Sequence, residues 1–516
     1  MASGRRTASV KEFGDFQTPP ALAEEVCRWL AARGLRPASI LEPTCGVGNF
    51  LVAGTLAFPT ANTLLAADIN AAYLREAEAK LQETPAAGTA RFLVGSFFDL
   101  PWPGLLRDIP DPVLVLGNPP WVTNSELGAL ASDNLPEKTN LAGRSGLDAM
   151  TGKSNFDISE WILTRLLEWL NGRQATLAML CKTAVARRVL AQAWLQAAQI
   201  EAAEIRPIDA GEHFGAAVSA CLLVCQLAPG GASRHCGVMN GWSETADAAK
   251  SFGWRNGQLV ADLAAYERTR HLQGQSSHRW RSGIKHDCAR VMELSQEGSG
   301  YRNGLDELVD LEEQCLFPLL KSSDLANGRA AEPRRHLLVT QRNVGDDTSL
   351  LCAAAPKVWT YLQAHAELLD RRGSSIYRNR ARFAIFGVGD YTFAPWKVAI
   401  SGLYKKLKFT IVGNRGGKPI VLDDTACFLP CRGEAEAEYI AGLLNSPEAR
   451  DFLTAFLFWD AKRPITVDIL KRLSLPRLAR QLGSEQVLDE FLADRSPRIA
   501  ASDDGLLQLG LFTSGR

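Results

Sequence analysis

Between Ser39 and Cys225 short apolar runs alternate with stretches whose apolar positions recur at helical spacing. The runs at 38–46, 63–70, 90–97, 112–120, 175–182 and 218–227 predict strands, and the segments 21–34, 71–81 and 158–172 predict amphipathic helices. Strand and helix in alternation predict an α/β unit with a largely parallel sheet covered on both faces. Ligands are then expected at the carboxyl ends of the strands. The alternation stops in an irregular stretch around 228–237, so a linker is expected over 231–240, between a first domain at 1–230 and a second at 241–516. In the second, 335–342, 382–400, 408–413 and 418–424 predict strands and hairpins, and 436–456 predicts helix. That pattern is mixed α/β.

Composition narrows the class. Apolar residues make up 46% and charged residues 22%, a balance typical of globular enzymes. No stretch reaches the roughly 18 apolar residues a membrane helix needs, so no membrane partner and a cytoplasmic location are expected. The eleven cysteines form no CxxC pair and the seven histidines are scattered, which points to reduced thiols and no metal. Cys221, Cys225, Cys427 and Cys431 sit in strand-like runs, where cysteine behaves as a small hydrophobe. Lys and Arg together number 57 and so do Asp and Glu; local clustering therefore has to decide whether nucleic acid binds.

The densest candidate chemistry is Asn118-Pro119-Pro120-Trp121, directly after the apolar run Val113–Gly117. Two prolines fix the backbone as it leaves the strand and remove two amide donors, leaving carbonyl oxygens available to a ligand. An exocyclic amine is a poor nucleophile because its lone pair is delocalised into the ring. If the Asn118 side-chain oxygen and the Pro119 carbonyl each accept one N–H, the nitrogen is drawn toward a tetrahedral shape with its lone pair exposed. Trp121 offers a flat surface for a purine. The bland reading is a strand-ending turn with an incidental aromatic.

Upstream, Ile40–Phe50 runs from a strand through Gly46 and Gly48 into a helix, and the next strand ends on Asp68-Ile69. Glycines there let backbone approach a ligand, and an acid at the second strand end is placed to hold ribose hydroxyls. A phosphate loop is disfavoured, since the third glycine of GxGxxG and the lysine of a P-loop are both missing.

In this order the motifs resemble the gamma-group adenine-N6 DNA methyltransferases, whose cofactor motifs precede the catalytic one and whose target-recognition domain is C-terminal. The resemblance implies a Rossmann-like fold, S-adenosyl-L-methionine as cofactor and double-stranded DNA as partner, with the adenine flipped out. Gly14–Pro20 resembles the family's N-terminal motif, which makes Thr18 a contact near the methionine carboxylate; a helix N-cap is the alternative. The glycine loop with Glu42 resembles the methionine-binding motif, and Asp68-Ile69 the ribose-binding one. Gly95-Ser96-Phe97-Phe98-Asp99 stands where the family commonly has an acid on the cofactor's adenine; either Ser96 or Asp99 makes that contact here, with Phe97 between them. Asn155–Ile158 resembles a motif opening a helix beside the cofactor, with Asp157 equally a simple cap. His213–Ala220 resembles the segment whose aromatic packs on the flipped base, so Phe214 is either that aromatic or core. Looser signposts of the recognition domain are Ser282–Lys285, Phe317–Lys321, Tyr439–Asn445 and Leu473–Pro476.

Cations beside aromatics are a mix suited to phosphate and base contact. Arg371-Arg372, then Tyr377 with Arg378, Arg380 and Arg382, then Tyr404 with Lys405, Lys406 and Lys408 supply them, with a solvated face as the alternative. Enzymes methylating protein glutamine or ribosomal RNA amines share the NPP-aromatic chemistry and are the runner-up; a non-catalytic DNA-binding subunit is disfavoured by the intact motif set. The stretch before Phe13 is expected to be too short for a nuclease domain, so a restriction endonuclease companion would reside on a separate chain.

Overall fold

The computed structural model describes residues 16–84, 90–122, 157–242, 249–298 and 300–493. They form two compact units, divided after Leu263.

The first unit is built on a ten-stranded sheet. Its strands are β1 (Ser39–Glu42), β2 (Thr63–Asp68), β3 (Ala90–Val94), β4 (Val113–Gly117), β5 (Ala175–Lys182), β6 (Ile200–Ile208), β7 (Ala220–Leu227), β8 (His235–Val238), β9 (Lys250–Arg255) and β10 (Gln258–Val260), in spatial order 3-2-1-4-5-7-6-8-9-10. The first five are parallel, as the alternation predicts. β7 lies antiparallel between β5 and β6. β1 and β4 are buried along their whole length because helices cover both faces. The strand order reverses at the β1/β4 boundary, where the carboxyl ends leave a crevice.

One strand was not foreseen and one expectation needs correction. β6 reads Ile-Glu-Ala-Ala-Glu-Ile-Arg-Pro-Ile, with exposed positions along it, and gives no apolar run, yet the buried β7 recruits it by pairing. The linker expected over 231–240 contains β8, which pairs with β6, and β9 and β10 extend the same sheet to Val260. The first unit therefore continues past residue 230.

The second unit contains a six-stranded and a four-stranded sheet with short helices. Of the run 382–400 only Trp396–Ser401 is a strand. Gly387 turns the chain at φ +70°, and a Cβ there would lie 2.4 Å from the Gly283 carbonyl oxygen, so the apolar residues before it are buried in irregular backbone. The helical stretch 436–456 is two helices, Glu434–Leu444 and Pro447–Thr454, because Ser446 caps a new start with Pro447 in its first turn. Among the described residues no helix is long and apolar enough to cross a membrane. All eleven cysteines are free.

Candidate active site

At the switch point of the first unit lies a cavity of about 430 Å³. Each of β1, β2 and β4 delivers one polar side chain to it, because each changes from buried strand to loop at that edge: Glu42, Asp68 and Asn118.

Asp68 is held by two backbone amides, Gly46 N–H on Oδ2 and Asn70 N–H on Oδ1, both at 2.8 Å. These bonds fix the carboxylate at the strand end, where an acid suits a diol. Glu42 is 3% exposed and accepts the Leu51 N–H at 2.8 Å. Burial pushes its carboxyl well above the ordinary range and Asp68 adds to the rise, while the Leu51 bond opposes it. Both acids suit a ligand bearing an amine and hydroxyls. Thr18 lines the cavity and lies before the N-cap, Pro19, of helix Pro20–Ala32, so it is not the cap of that helix.

Gly46 lines the cavity in a left-handed conformation (φ +50°), with the Gln17 carboxamide 2.4 Å from where a Cβ would stand. Gln17 Oε1 in turn accepts the Val47 N–H at 3.1 Å. Gly48 lies outside the lining: it starts helix Asn49–Ala57 at φ +76°, and a Cβ would meet Ala77 at 2.6 Å. A side chain there would collide with helix Ala71–Gln82.

The apolar wall comes from Ile69, Tyr73, Phe97 and Phe98. Ile69 is 46% exposed within this cavity, an apolar surface left open to a planar ring. Ser96 and Asp99 lie outside the lining; Ser96 Oγ accepts the Phe98 N–H at 3.2 Å, and Asp99 is exposed. Among the described residues neither acid nor hydroxyl of that segment faces the cavity, and Phe97 and Phe98 do.

Asn118 Nδ2 donates to the Phe16 carbonyl at 3.0 Å, which orients the amide and leaves Oδ1 buried with no partner among the described residues. Pro120 lines the cavity and Pro119 is buried beside it. Trp121 is 5% exposed, and its ring packs against Phe214 at 5.2 Å and Phe16 at 6.0 Å. Trp121 and Phe214, predicted on opposite sides of a base, thus touch edge to face.

One contributor carries no motif signal in the sequence. Lys182, the last residue of β5, donates to the Trp121 carbonyl at 2.8 Å and to Asp157 Oδ2 at 2.7 Å. Asp157 Oδ1 caps helix Ile158–Leu170 through the Ser159 N–H, the structural alternative for that residue. Lys182 therefore ties the turn after β4 to that helix; its place at a carboxyl strand end beside β4 was the available clue. Gly14, Asp15, Asn155 and Phe156 of the quoted motifs lie outside the described residues.

In the second unit the basic clusters separate. Arg382 is committed to Asp370 through Nε and Nη2, and Arg371 pairs with Glu367. Arg372 donates to the carbonyls of Leu369, Arg382 and Ala384 and stacks on Tyr377. Arg378, Arg380, Lys405, Lys406 and Lys408 carry no ion pair among the described residues. Among the described residues no three His, Cys, Asp or Glu side chains gather as metal ligands.

No family model matches the chain. It is 43% identical over 475 residues to Type II methyltransferase M.NspV of Nostoc sp., spanning 91% of this chain and 97% of that one. The chain belongs to the type II methyltransferase family. The fold is also that of MmeI, a Type IIL restriction-modification enzyme solved in complex with DNA: TM-score 0.53 at 12% identity, over 95% of this chain and 68% of that one. This DNA methyltransferase takes its methyl group from S-adenosylmethionine. The donor set fits that cofactor: two carboxylates on adjacent parallel strands for its amine and ribose, and an open apolar wall for its adenine.

Proposed function

We propose that the methyltransferase acts on the exocyclic N6 amine of an adenine swung out of duplex DNA, at a specific site. The observation that carries this reading is the Asn118 carboxamide: its nitrogen is tied to Phe16, and its oxygen is buried without a partner at the end of β4. A buried orphan acceptor is costly unless a ligand supplies the missing donor, and an amine N–H is such a donor. When bound, S-adenosylmethionine supplies an electrophilic methyl group. Asn118 Oδ1 and the Pro119 carbonyl hold the amine's hydrogens and favour the tetrahedral nitrogen, an interaction that strengthens in the transition state. Thr18, Glu42, Gly46, Asp68, Ile69 and Phe97 bind the cofactor. Lys182 positions the turn by holding the Trp121 carbonyl. For a base to enter between Trp121 and Phe214 those rings have to part, so the stack is completed only when the base is extruded. Residues 1–263 carry the chemistry and the second unit recognises the target.

Expression in a methylation-free host, followed by single-molecule sequencing of its DNA, tests the reading. N6-methyladenine at one sequence context is expected. Modified cytosine, or an unmodified genome with methylated ribosomal protein or RNA, overturns it.

A further inference from the structure

The second unit carries a groove of about 890 Å³ that the sequence motifs touch only at Ser282. Its main wall is the segment 273–282, Gln-Gly-Gln-Ser-Ser-His-Arg-Trp-Arg-Ser, and its other side comes from Tyr391 and from Lys471 and Arg472. An adjoining cavity of about 450 Å³ shares Ser277–Arg279, Arg281 and Tyr391 and adds Arg432. Neither lining includes an Asp or Glu among the described residues, although the chain as a whole has as many acids as bases.

Trp280 is 4% exposed and packs on Phe409, and Arg279 and Arg281 on either side of it both line the groove. Arg279 is exposed and has no ion pair among the described residues. The Arg281 guanidinium lies 4.2 Å over the Tyr391 ring, and its Nε is buried without a hydrogen-bond partner. Stacking fixes the plane of such a group before any ligand arrives. Lys471 is paired with Asp468 and the Arg472 guanidinium rests on Phe456 at 4.7 Å, whereas Arg279 and Arg281 stand side by side with no ion pair among the described residues.

We propose that this groove seats double-stranded DNA, with Arg279 on a phosphate and the stacked Arg281 on a base edge. This deepens the proposed function and rests on it. Arg, Gln and Ser side chains on one surface are the groups that pair with guanine edges, adenine edges and phosphate oxygens. Arg279 and Arg281, side by side in linings that contain no Asp or Glu among the described residues, favour a polyanion over a protein surface of mixed charge. Trp280 also links the groove to the free lysines at 405–408, because its ring partner Phe409 follows Lys408.

The test uses the full-length protein and a duplex containing the methylated site, with binding followed by fluorescence anisotropy across a salt series. Arg279→Ala combined with Lys471→Ala removes exposed side chains only and is expected to weaken binding at least tenfold at low salt. The log–log salt slope should flatten by about 0.9 for each phosphate that the variant no longer neutralises. Arg281→Ala is expected to leave the slope nearly unchanged and to relax sequence preference at one base pair. Thermal melting and S-adenosylmethionine affinity should match the parent in both variants, and the double substitution Arg334→Ala/Arg415→Ala, exposed elsewhere on the same unit, should bind as the parent does. Parental affinity and slope in the groove variants, with a DNA-binding parent, overturn the groove alone. A parent that binds RNA or no nucleic acid overturns the groove and the DNA-modifying function together.

Discussion

The cavity of the first unit and the groove of the second are opposites in charge. The cavity holds Glu42 and Asp68 at adjacent strand ends; the groove holds four cations and no carboxylate in its lining. A cofactor with an amine, a sulfonium and a ribose diol suits the first, and a polyanion suits the second. The molecule's zero net charge is the sum of these specialised surfaces with everything else, which is why total charge says nothing about DNA here.

If that division of labour holds, substitutions in the cavity should change chemistry or cofactor affinity and leave DNA binding alone. The largest effect is expected from Asn118→Ala, which should lower single-turnover methylation by roughly two to three orders of magnitude, the scale of losing one preorganised polar partner. Calorimetric affinity for S-adenosylmethionine should barely move. A parental rate would reduce the turn after β4 to a structural feature.

Asp68→Ala should weaken cofactor binding by about 1.5–3 kcal/mol while DNA affinity stays within error. Loss of DNA binding in that variant would mean that the two regions are not separable. Trp121→Ala should raise the apparent KM for DNA by an amount on the order of 1–3 kcal/mol, the worth of one stacked base. Part of that penalty should vanish on a duplex whose target adenine is mispaired and already easy to extrude.

A pH series sharpens the cavity side further. Because burial raises the Glu42 carboxyl well above its ordinary range, the free enzyme keeps that proton to higher pH than the unfolded chain does. Ionising Glu42 as pH rises therefore costs fold stability and at the same time creates the carboxylate an ammonium prefers. S-adenosylmethionine affinity should climb with pH through that titration, and Glu42→Gln should flatten the climb. An identical pH profile for the variant would remove Glu42 from the amine site.

The smallest effects separate the basic clusters of the second unit. Neutralising Lys405, Lys406 and Lys408 together should flatten the salt dependence of DNA binding by up to about 0.9 log units for each phosphate these lysines hold. Arg382→Ala should leave it unchanged, since that guanidinium already serves Asp370. A flattened slope for Arg382→Ala would show that the ion pair opens on DNA.

The polar ends of three strands in the first unit are legible in the sequence. Strand, tight turn and key side chain fall within a few consecutive residues at Glu42, Asp68 and Asn118, so the periodicity that predicts each strand also places its chemistry at the carboxyl end. Local reading failed where a role depends on a partner distant in the chain. Gly48 packs against Ala77 and lies outside the cavity lining, and in the segment after β3 Phe97 and Phe98 line the cavity while Ser96 and Asp99 do not. Lys182 gained its role only when β5 paired with β4 and brought it to the Trp121 carbonyl. The groove is the extreme case. Its walls come from 273–282, 387–391 and 467–472, and whether an arginine is free or spent depends on a carboxylate elsewhere in the chain, as Arg382 with Asp370 and Arg279 without one illustrate. Hydrophobic period is a property of neighbouring residues and survives in the sequence; charge compensation is a property of neighbours in space, and only the tertiary structure decides it.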